Sequence, residues 1–146
     1  MLKAGVLGAG HLGKIHLKLL KQSDKYELIG FYDADHENAK KVAEEFGYRA
    51  YSDLDELIAD ADMIDVVTPT LSHFEVAKKV ISAGKHLFIE KPITNTFEEA
   101  EKLIALAEKH GVKGQVGHVE RFNPAFQSVA NRIENPMFIE AHRLAE

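Results

Sequence analysis

Short apolar runs alternate with stretches of helical period along most of the chain. Leu2–Leu7 is an apolar run closed by Gly8 and predicts a buried strand. Over His11–Lys21 the apolar positions Leu12, Ile15, Leu19 and Leu20 repeat at helical spacing. Tyr26–Tyr32 predicts a second strand. Asn38–Phe46 reads as a helix with Ala39, Val42, Ala43 and Phe46 on one face and Gly47 as its stop. Arg49–Tyr51 is a candidate short strand, and Asp53–Ala59 a short helix that Ser52 can cap. Met63–Thr68 is a strand rich in β-branched residues, stopped by Pro69. Ser72–Ala83 is helical and ends at Gly84; His86–Ile89 is a strand. Thr96–His110 is a helix with Thr96 and Glu99 at capping-box spacing and Gly111 past its end. Val112–His118 predicts one more strand.

Strand–helix alternation with short connections implies parallel strands joined by crossover helices. The nearly continuous apolar strands imply a sheet covered on both faces. The expected fold class is therefore α/β, with a doubly wound, mainly parallel sheet. After residue 118 the pattern changes. Arg121-Phe122-Asn123-Pro124 opens a new stretch. Pro124 suits a first helical turn, and Phe126, Val129, Ala130 and Ile133 follow at helical spacing. Pro136 breaks that helix and Met137–Leu144 reads as a strand. Residues 1–120 are accordingly read as one domain, and residues 121–146 as the linker helix and first strand of an otherwise absent second, α+β domain. An unpaired apolar strand is a template for association. Homo-oligomer formation through this segment is the first expectation.

Composition narrows the function classes. The 146 residues include no cysteine, so disulfides, thiolate zinc sites and cysteine nucleophiles are excluded. The net charge of -5 argues against a nucleic-acid surface. No apolar run reaches the ~20 residues of a membrane span. Residues 1–10 read as a Gly-broken strand start, not as a signal peptide. The chain is expected to be cytoplasmic. His11, His16, His36, His86, His110, His118 and His142 show no ligand spacing, and His11 and His16 are five apart; no metal site is expected.

The chemistry is concentrated at strand ends. Gly8-Ala9-Gly10-His11-Leu12-Gly13 joins the first strand to the first helix. In such a loop the first glycine permits a tight turn, the second lets a pyrophosphate approach the backbone, and the third lets helix and strand pack closely. The helix start then offers free N–H groups to phosphate. Asp33 closes the second strand and can accept from both ribose hydroxyls of an adenosine. No arginine follows in Ala34-Asp35-His36, so a 2′-phosphate would be repelled. NAD is the preferred cofactor and NADP the alternative. A solvated turn aspartate is the competing reading of Asp33; Asp35 is read as a helix cap. Thr68-Pro69-Thr70 closes the fourth strand of this reading, at the carboxyl edge where ligands of open α/β sheets bind, with His73 just inside the next helix. His73 is equally well read as a helix-start histidine meeting water or a carbonyl. Glu90-Lys91-Pro92 ends the next strand. A lysine there has three donors for a substrate hydroxyl or a carboxamide. Taken alone, this tripeptide is a charged loop start.

Together, Gly8-x-Gly10-x-x-Gly13, Asp33, Thr68-Pro69-Thr70 with His73, and above all Glu90-Lys91-Pro92 resemble the glucose–fructose oxidoreductase / inositol dehydrogenase / MocA family. The likeness runs through the chain in order. The stretch Gly117–Pro124 is similar to the interdomain segment of members acting on UDP-linked N-acetylhexosamines. The resemblance implies a Rossmann-type NAD(P)-binding half of a dehydrogenase that transfers hydride between a nicotinamide and a sugar or sugar-nucleotide hydroxyl. It implies that Gly8, Gly10, His11, Leu12 and Gly13 hold the pyrophosphate and Asp33 the ribose. Thr68, Pro69 and His73 would lie near the nicotinamide, Glu90 and Lys91 would orient cofactor and substrate, with Lys91 catalytic, and Arg121 would reach the nicotinamide or substrate edge. The family's general base lies in its second half, so this chain alone is expected to be inactive. The competing function is a stand-alone, non-enzymatic NAD-binding module.

Overall fold

Five parallel strands form the centre of the computed structural model, which describes residues 1–130, 132, 134–140 and 142. They are β1 (Leu2–Leu7), β2 (Tyr26–Tyr32), β3 (Met63–Val66), β4 (His86–Ile89) and β5 (Gly114–Val116). The helices are α1 (His11–Gln22), α2 (His36–Phe46), α3 (Leu54–Asp60), α4 (Thr70–Ser82), α5 (Phe97–His110) and α6 (Pro124–Ala130), with a 3-10 turn over Val119–Phe122. The strand order is β2-β1-β3-β4-β5. All four pairings are parallel, so every connection crosses over through helix. The expected α/β Rossmann-type architecture is present.

The alternation along the strands explains the layering. Leu7, Ile64, Val66, Leu87 and Ile89 point into a core shared with Leu57 of α3, Val80 of α4 and Leu103 of α5. Val6 and Phe31 point the other way, against Leu17 of α1 and Val42 of α2. Helices therefore cover both faces, as the near-continuous apolar strands require. Fully buried residues such as Phe31, Leu57 and Ile64 each contribute roughly 1.5–3 kcal/mol of transfer free energy. One polar residue interrupts the pattern: Asp65 stands between Ile64 and Val66 and faces α1.

The order in which strands are laid down changes direction at β1, since β2 pairs on one edge and β3 on the other. That arrangement opens a crevice beyond the carboxyl ends of β1 and β3, where Gly8 and Thr68 lie.

Several local expectations meet a different geometry. Asp53, not Ser52, caps α3: its carboxylate accepts from the N–H groups of Asp55 and Glu56 at 2.6 and 3.1 Å. Arg49–Tyr51 makes a single parallel bridge, Phe31 with Ala50, rather than a strand; Thr68 and Glu90 therefore follow the third and fourth strands of the sheet. β5 is three residues long: among the described residues it pairs only with β4, and it ends where the chain turns at Gly117. Residues 137–140 form no strand, and without neighbouring strands a short apolar run has no ladder to join. Ile133 of the expected helix face and residues 141, 143 and 144 of the expected strand lie outside the described residues. No helix among the described residues is long and apolar enough to cross a membrane.

Candidate functional site

The loop after β1 shows why three glycines are needed. Gly8 has φ +94°, and a Cβ there would lie 2.7 Å from the Val67 carbonyl oxygen. At Gly13 a Cβ would fall 2.0 Å from the Gly8 carbonyl oxygen, so the first turn of α1 and the end of β1 share space that no side chain can enter. Gly10 is different. A Cβ there would meet nothing within 4 Å. No packing inside the described chain calls for glycine at this position; an approaching ligand does.

The N-terminus of α1 is left open as well. Asp35, Asp53 and Thr96 cap α2, α3 and α5 with side-chain hydrogen bonds. At α1 the cap residue is Gly10, with no side-chain bond and no acidic residue in the first turn. His11 and Leu12 stand exposed at this start. Free N–H groups and the positive end of the helix dipole meet at a concave, glycine-lined turn, which suits a pyrophosphate. The residues present fit a dinucleotide.

Asp33 is built into the same loop. Its Oδ2 accepts the Ala9 backbone N–H at 2.8 Å and the Asn38 amide at 2.9 Å, while its Oδ1 accepts the Asp35 N–H at 2.9 Å. Asn38 also donates to the Ala9 carbonyl at 3.2 Å. The end of β2 and the glycine loop are thus fastened together. An ionised carboxylate has about four lone-pair sites, so acceptor capacity remains for hydroxyl donors. Asn38, in the first turn of α2, is a residue that local sequence patterns pass over.

The loops after β3 and β4 are joined by His73. This imidazole is buried, with Nε2 2.9 Å from the Thr68 carbonyl and Nδ1 2.9 Å from the Pro92 carbonyl. His73 thus sits behind Thr68 and Pro92 and sets their separation. Thr68 is half-buried and accepts the Ser72 hydroxyl at 2.9 Å; Pro69 is exposed and is the cap residue of α4. The Lys91–Pro92 peptide bond is cis.

Glu90 and Lys91 divide the next strand end between inside and outside. Glu90 is buried, and its Oε2 accepts the Lys91 backbone N–H at 3.1 Å. The Lys91 side chain is exposed. A groove of about 740 Å³ runs between α1 and residues 117–126, and Leu12, Glu90, Lys91 and Arg121 all line it. The structure therefore brings together Leu12, Glu90, Lys91 and Arg121 on one groove, and Gly8, Gly10, Gly13 and Asp33 on one loop. His16 lines the same groove and was given no role by sequence reasoning. The available signal was Asp65, a carboxylate inside an apolar central strand, which demands a partner from the helix above it.

A parallel sheet with this glycine loop, open helix start and strand-end acid defines a dinucleotide-binding α/β domain. Residues 2–118 match the GFO_IDH_MocA oxidoreductase family, which has an NAD-binding Rossmann fold, and the chain belongs to that family. It is similar to the UDP-N-acetylglucosamine 3-dehydrogenase of Acidithiobacillus ferrooxidans, 39% identical over 145 residues covering 99% of this chain and 46% of that protein. The solved structure of that enzyme superimposes with a TM-score of 0.81 over 90% of this chain and 43% of its own. The scyllo-inositol 2-dehydrogenase (NAD(+)) of Bacillus subtilis is 35% identical over 136 residues, 90% of this chain and 40% of the enzyme. GenD2 from gentamicin A biosynthesis, solved in complex with NAD, is 32% identical with a TM-score of 0.74, covering 80% of this chain and 34% of that one. The chain thus spans less than half the length of these relatives.

Proposed function

We propose that residues 1–120 are the cofactor half of a dehydrogenase that passes hydride between a nicotinamide and a hydroxyl of a sugar or sugar nucleotide, with NAD preferred over NADP. Residues 121–146 open a second, substrate-binding unit in this reading, supported by the family match ending at residue 118 and by α6 lying beyond the sheet. The observation that carries the reading is the glycine loop: blocked at Gly8 and Gly13, open at Gly10, and fastened to Asp33. The sugar substrate is supported by what the relatives are called. A cytoplasmic setting belongs with the soluble cofactor that the loop suits.

When bound, the nicotinamide supplies the hydride chemistry. Gly8, Gly10, His11, Leu12 and Gly13 hold the pyrophosphate, and Asp33 holds the adenosine ribose. Thr68 and Pro69 border the nicotinamide end, with His73 setting the distance from Thr68 to Pro92 behind them. Lys91 reaches from the groove edge to the substrate oxygen, where an ammonium stabilises developing negative charge. Glu90 holds the Lys91 backbone from inside, and Arg121 contacts the far edge. Taking the hydroxyl proton needs a base in addition, and general acid–base assistance is worth ~10²–10⁴-fold. The curated relatives are more than twice as long, which supports a base outside these residues.

Calorimetric titration of the chain with NAD⁺ and NADP⁺ tests the reading. Saturable binding of NAD⁺, tighter than NADP⁺, and no enzymatic NADH formation from candidate sugars are the expected results. Binding of neither dinucleotide would overturn the assignment; tighter NADP⁺ would overturn the preference; rapid sugar oxidation would place the base within this chain.

Self-association through the C-terminal segment is part of the same reading. Phe126, Val129, Met137, Phe138 and Ile139 are all exposed, and apolar surface of that extent favours contact with a second copy. Sedimentation is expected to show a concentration-dependent dimer that is lost on deleting residues 136–146. Monomers at every concentration would remove the proposal.

A further inference from the structure

We propose that His16 is a positioning residue: bridged between Asp65 of β3 and Glu90 at the end of β4, it holds the Glu90 carboxylate in place behind Lys91 and releases it when the imidazole loses its proton. The inference rests on reading Glu90 and Lys91 as the nicotinamide side of the site.

The geometry begins with Asp65. This residue is 4% exposed within the central strand β3, and its Oδ1 has no hydrogen-bond partner among the described residues. A buried carboxylate without compensation costs several kcal/mol. Its only described hydrogen bond is between Oδ2 and His16 Nδ1, at 2.8 Å. His16 lies one turn beyond Gly13, on the face of α1 turned toward the sheet. The Phe88 ring packs against its imidazole, with centroids 5.9 Å apart. Phe88 is paired with Asp65 in the β3–β4 ladder, so ring and carboxylate come from neighbouring positions on one face.

The other end of the imidazole points at Glu90. His16 Nε2 is 3.6 Å from Glu90 Oε1, close enough for an ion pair and too long for a good hydrogen bond. Glu90 has little freedom to withdraw. A Cβ on Gly117 would lie 2.5 Å from Glu90 Oε1, so the carboxylate occupies the space that a side chain at 117 would need. Glu90 Oε2 in turn accepts the Lys91 backbone N–H at 3.1 Å. A continuous polar line therefore runs from β3 through α1 to the backbone of Lys91.

Proton count decides whether that line holds. A neutral imidazole that keeps its Nδ1–H for Asp65 presents a lone pair at Nε2 to the Glu90 carboxylate, which repels it. The imidazolium presents N–H groups to both. The hydrogen bond that His16 donates to Asp65 holds the imidazole above the ordinary histidine range; burial opposes this, and the charges of Asp65 and Glu90 add to it. Burial pushes the Asp65 carboxyl up as well, with His16 pulling the other way. The other charged groups lining the groove are Lys91, His118, Glu120 and Arg121. Because the folded value of His16 is raised, the bridge is complete below pH ~6.5 and is lost as pH climbs through that raised value. Asp33 is bonded to Ala9, Asp35 and Asn38 and stands apart from this line, so loss of the bridge should act on the nicotinamide end of a bound dinucleotide.

Two-dimensional NMR of the 146-residue chain between pH 5.5 and 9.5 tests the bridge without any ligand. The Lys91 backbone amide is expected to shift with the same midpoint as the His16 ring. In Glu90→Gln the ring should still titrate, at a lower pH, while the Lys91 amide no longer follows it. In His16→Gln the Lys91 amide should stay flat. A Lys91 amide that ignores the His16 titration in the wild type, or that follows it unchanged in Glu90→Gln, would overturn the inference. Should His16→Gln fail to fold, those two measurements still decide. Calorimetry supplies the second arm, with NAD⁺ and with ADP-ribose, which lacks the nicotinamide. Between pH 6.5 and 9, NAD⁺ affinity is expected to fall about tenfold more than ADP-ribose affinity, the order of one partly buried ion pair lost on deprotonation of His16. Equal pH dependence for both ligands would overturn the positioning role alone. Binding of neither ligand would overturn the dinucleotide reading, with the amide titration still deciding the bridge.

Discussion

Replacing Gly13 with alanine is expected to destabilise the fold by about 2 kcal/mol, the upper end of an overpacking cost net of helix propensity, and to abolish dinucleotide binding. A Cβ at this position would sit 2.0 Å from the Gly8 carbonyl oxygen and 2.8 Å from its carbon. Both are backbone atoms, so no side-chain rotation relieves the contact. Either β1 must lose its last turn-forming residue or α1 must lift from the sheet, carrying Leu17 out of the core. Overpacking of this kind typically costs ~1–3 kcal/mol, offset by up to about 1 kcal/mol of helix propensity gained by alanine. For a domain of this size a loss of 2 kcal/mol lowers the melting temperature by roughly 4–8 °C. Gly10→Ala is the matching control. Its backbone lies at φ -67°, ψ -164°, which any residue adopts, and a Cβ there meets nothing. It should melt like the wild type and still bind cofactor poorly, because the methyl would stand where a pyrophosphate approaches. Thermal unfolding followed by calorimetric titration separates the two. A Gly13→Ala protein with wild-type melting would show that the loop relaxes freely, and the argument for close α1–β1 packing would be lost.

How far the sequence could be read depends on the range of the interactions involved. β1, β2 and β4 have the bounds that their apolar runs predict, because glycine or a charged turn ends each run. α5 was equally legible: Thr96 and Glu99 form a capping box and Gly111 adopts the left-handed conformation that ends the helix. These signals are local. Errors arose where a neighbour decides. Asp53 outcompetes Ser52 at α3 because only its carboxylate reaches the free N–H groups from the backbone angle adopted there. The apolar run after Pro136 looked like a strand, but strand formation needs a partner that periodicity does not reveal. The glycine loop and Asp33 were legible because their spacing along the chain encodes the turn itself. The Asp65–His16–Glu90 line was not, since Asp65 and Glu90 lie 49 and 74 residues from His16 along the chain. Only the buried carboxylate in an apolar strand marked it, and that mark names no partner.

Asp33 carries the second large effect. Asp33→Ser is expected to weaken NAD⁺ binding by roughly 10–100-fold, the range of a lost charge-assisted hydrogen bond. NADP⁺ should weaken far less, since the same change removes the charge that repels a 2′-phosphate. Adding Ala34→Arg should then favour NADP⁺, because a guanidinium matches phosphate with two parallel donors. One complication is visible in the structure. Asp33 also holds the glycine loop through the Ala9 N–H and meets Asn38. Part of the affinity loss in Asp33→Ser would therefore come from a loosened loop, which weakens both dinucleotides together. Asn38→Ala separates the two contributions: it removes the amide that braces Asp33 and Ala9 while leaving the carboxylate for the ribose. Its loss should be small and equal for NAD⁺ and NADP⁺, so the ratio of the two affinities stays at the wild-type value. The ratio, not the absolute affinity, thus reports ribose recognition. If Asp33→Ser lowers both affinities by the same factor, Asp33 is a brace for the loop and the selectivity argument fails. If the ratio moves toward NADP⁺ and moves further with Ala34→Arg, the carboxylate at the end of β2 is the group that reads the ribose.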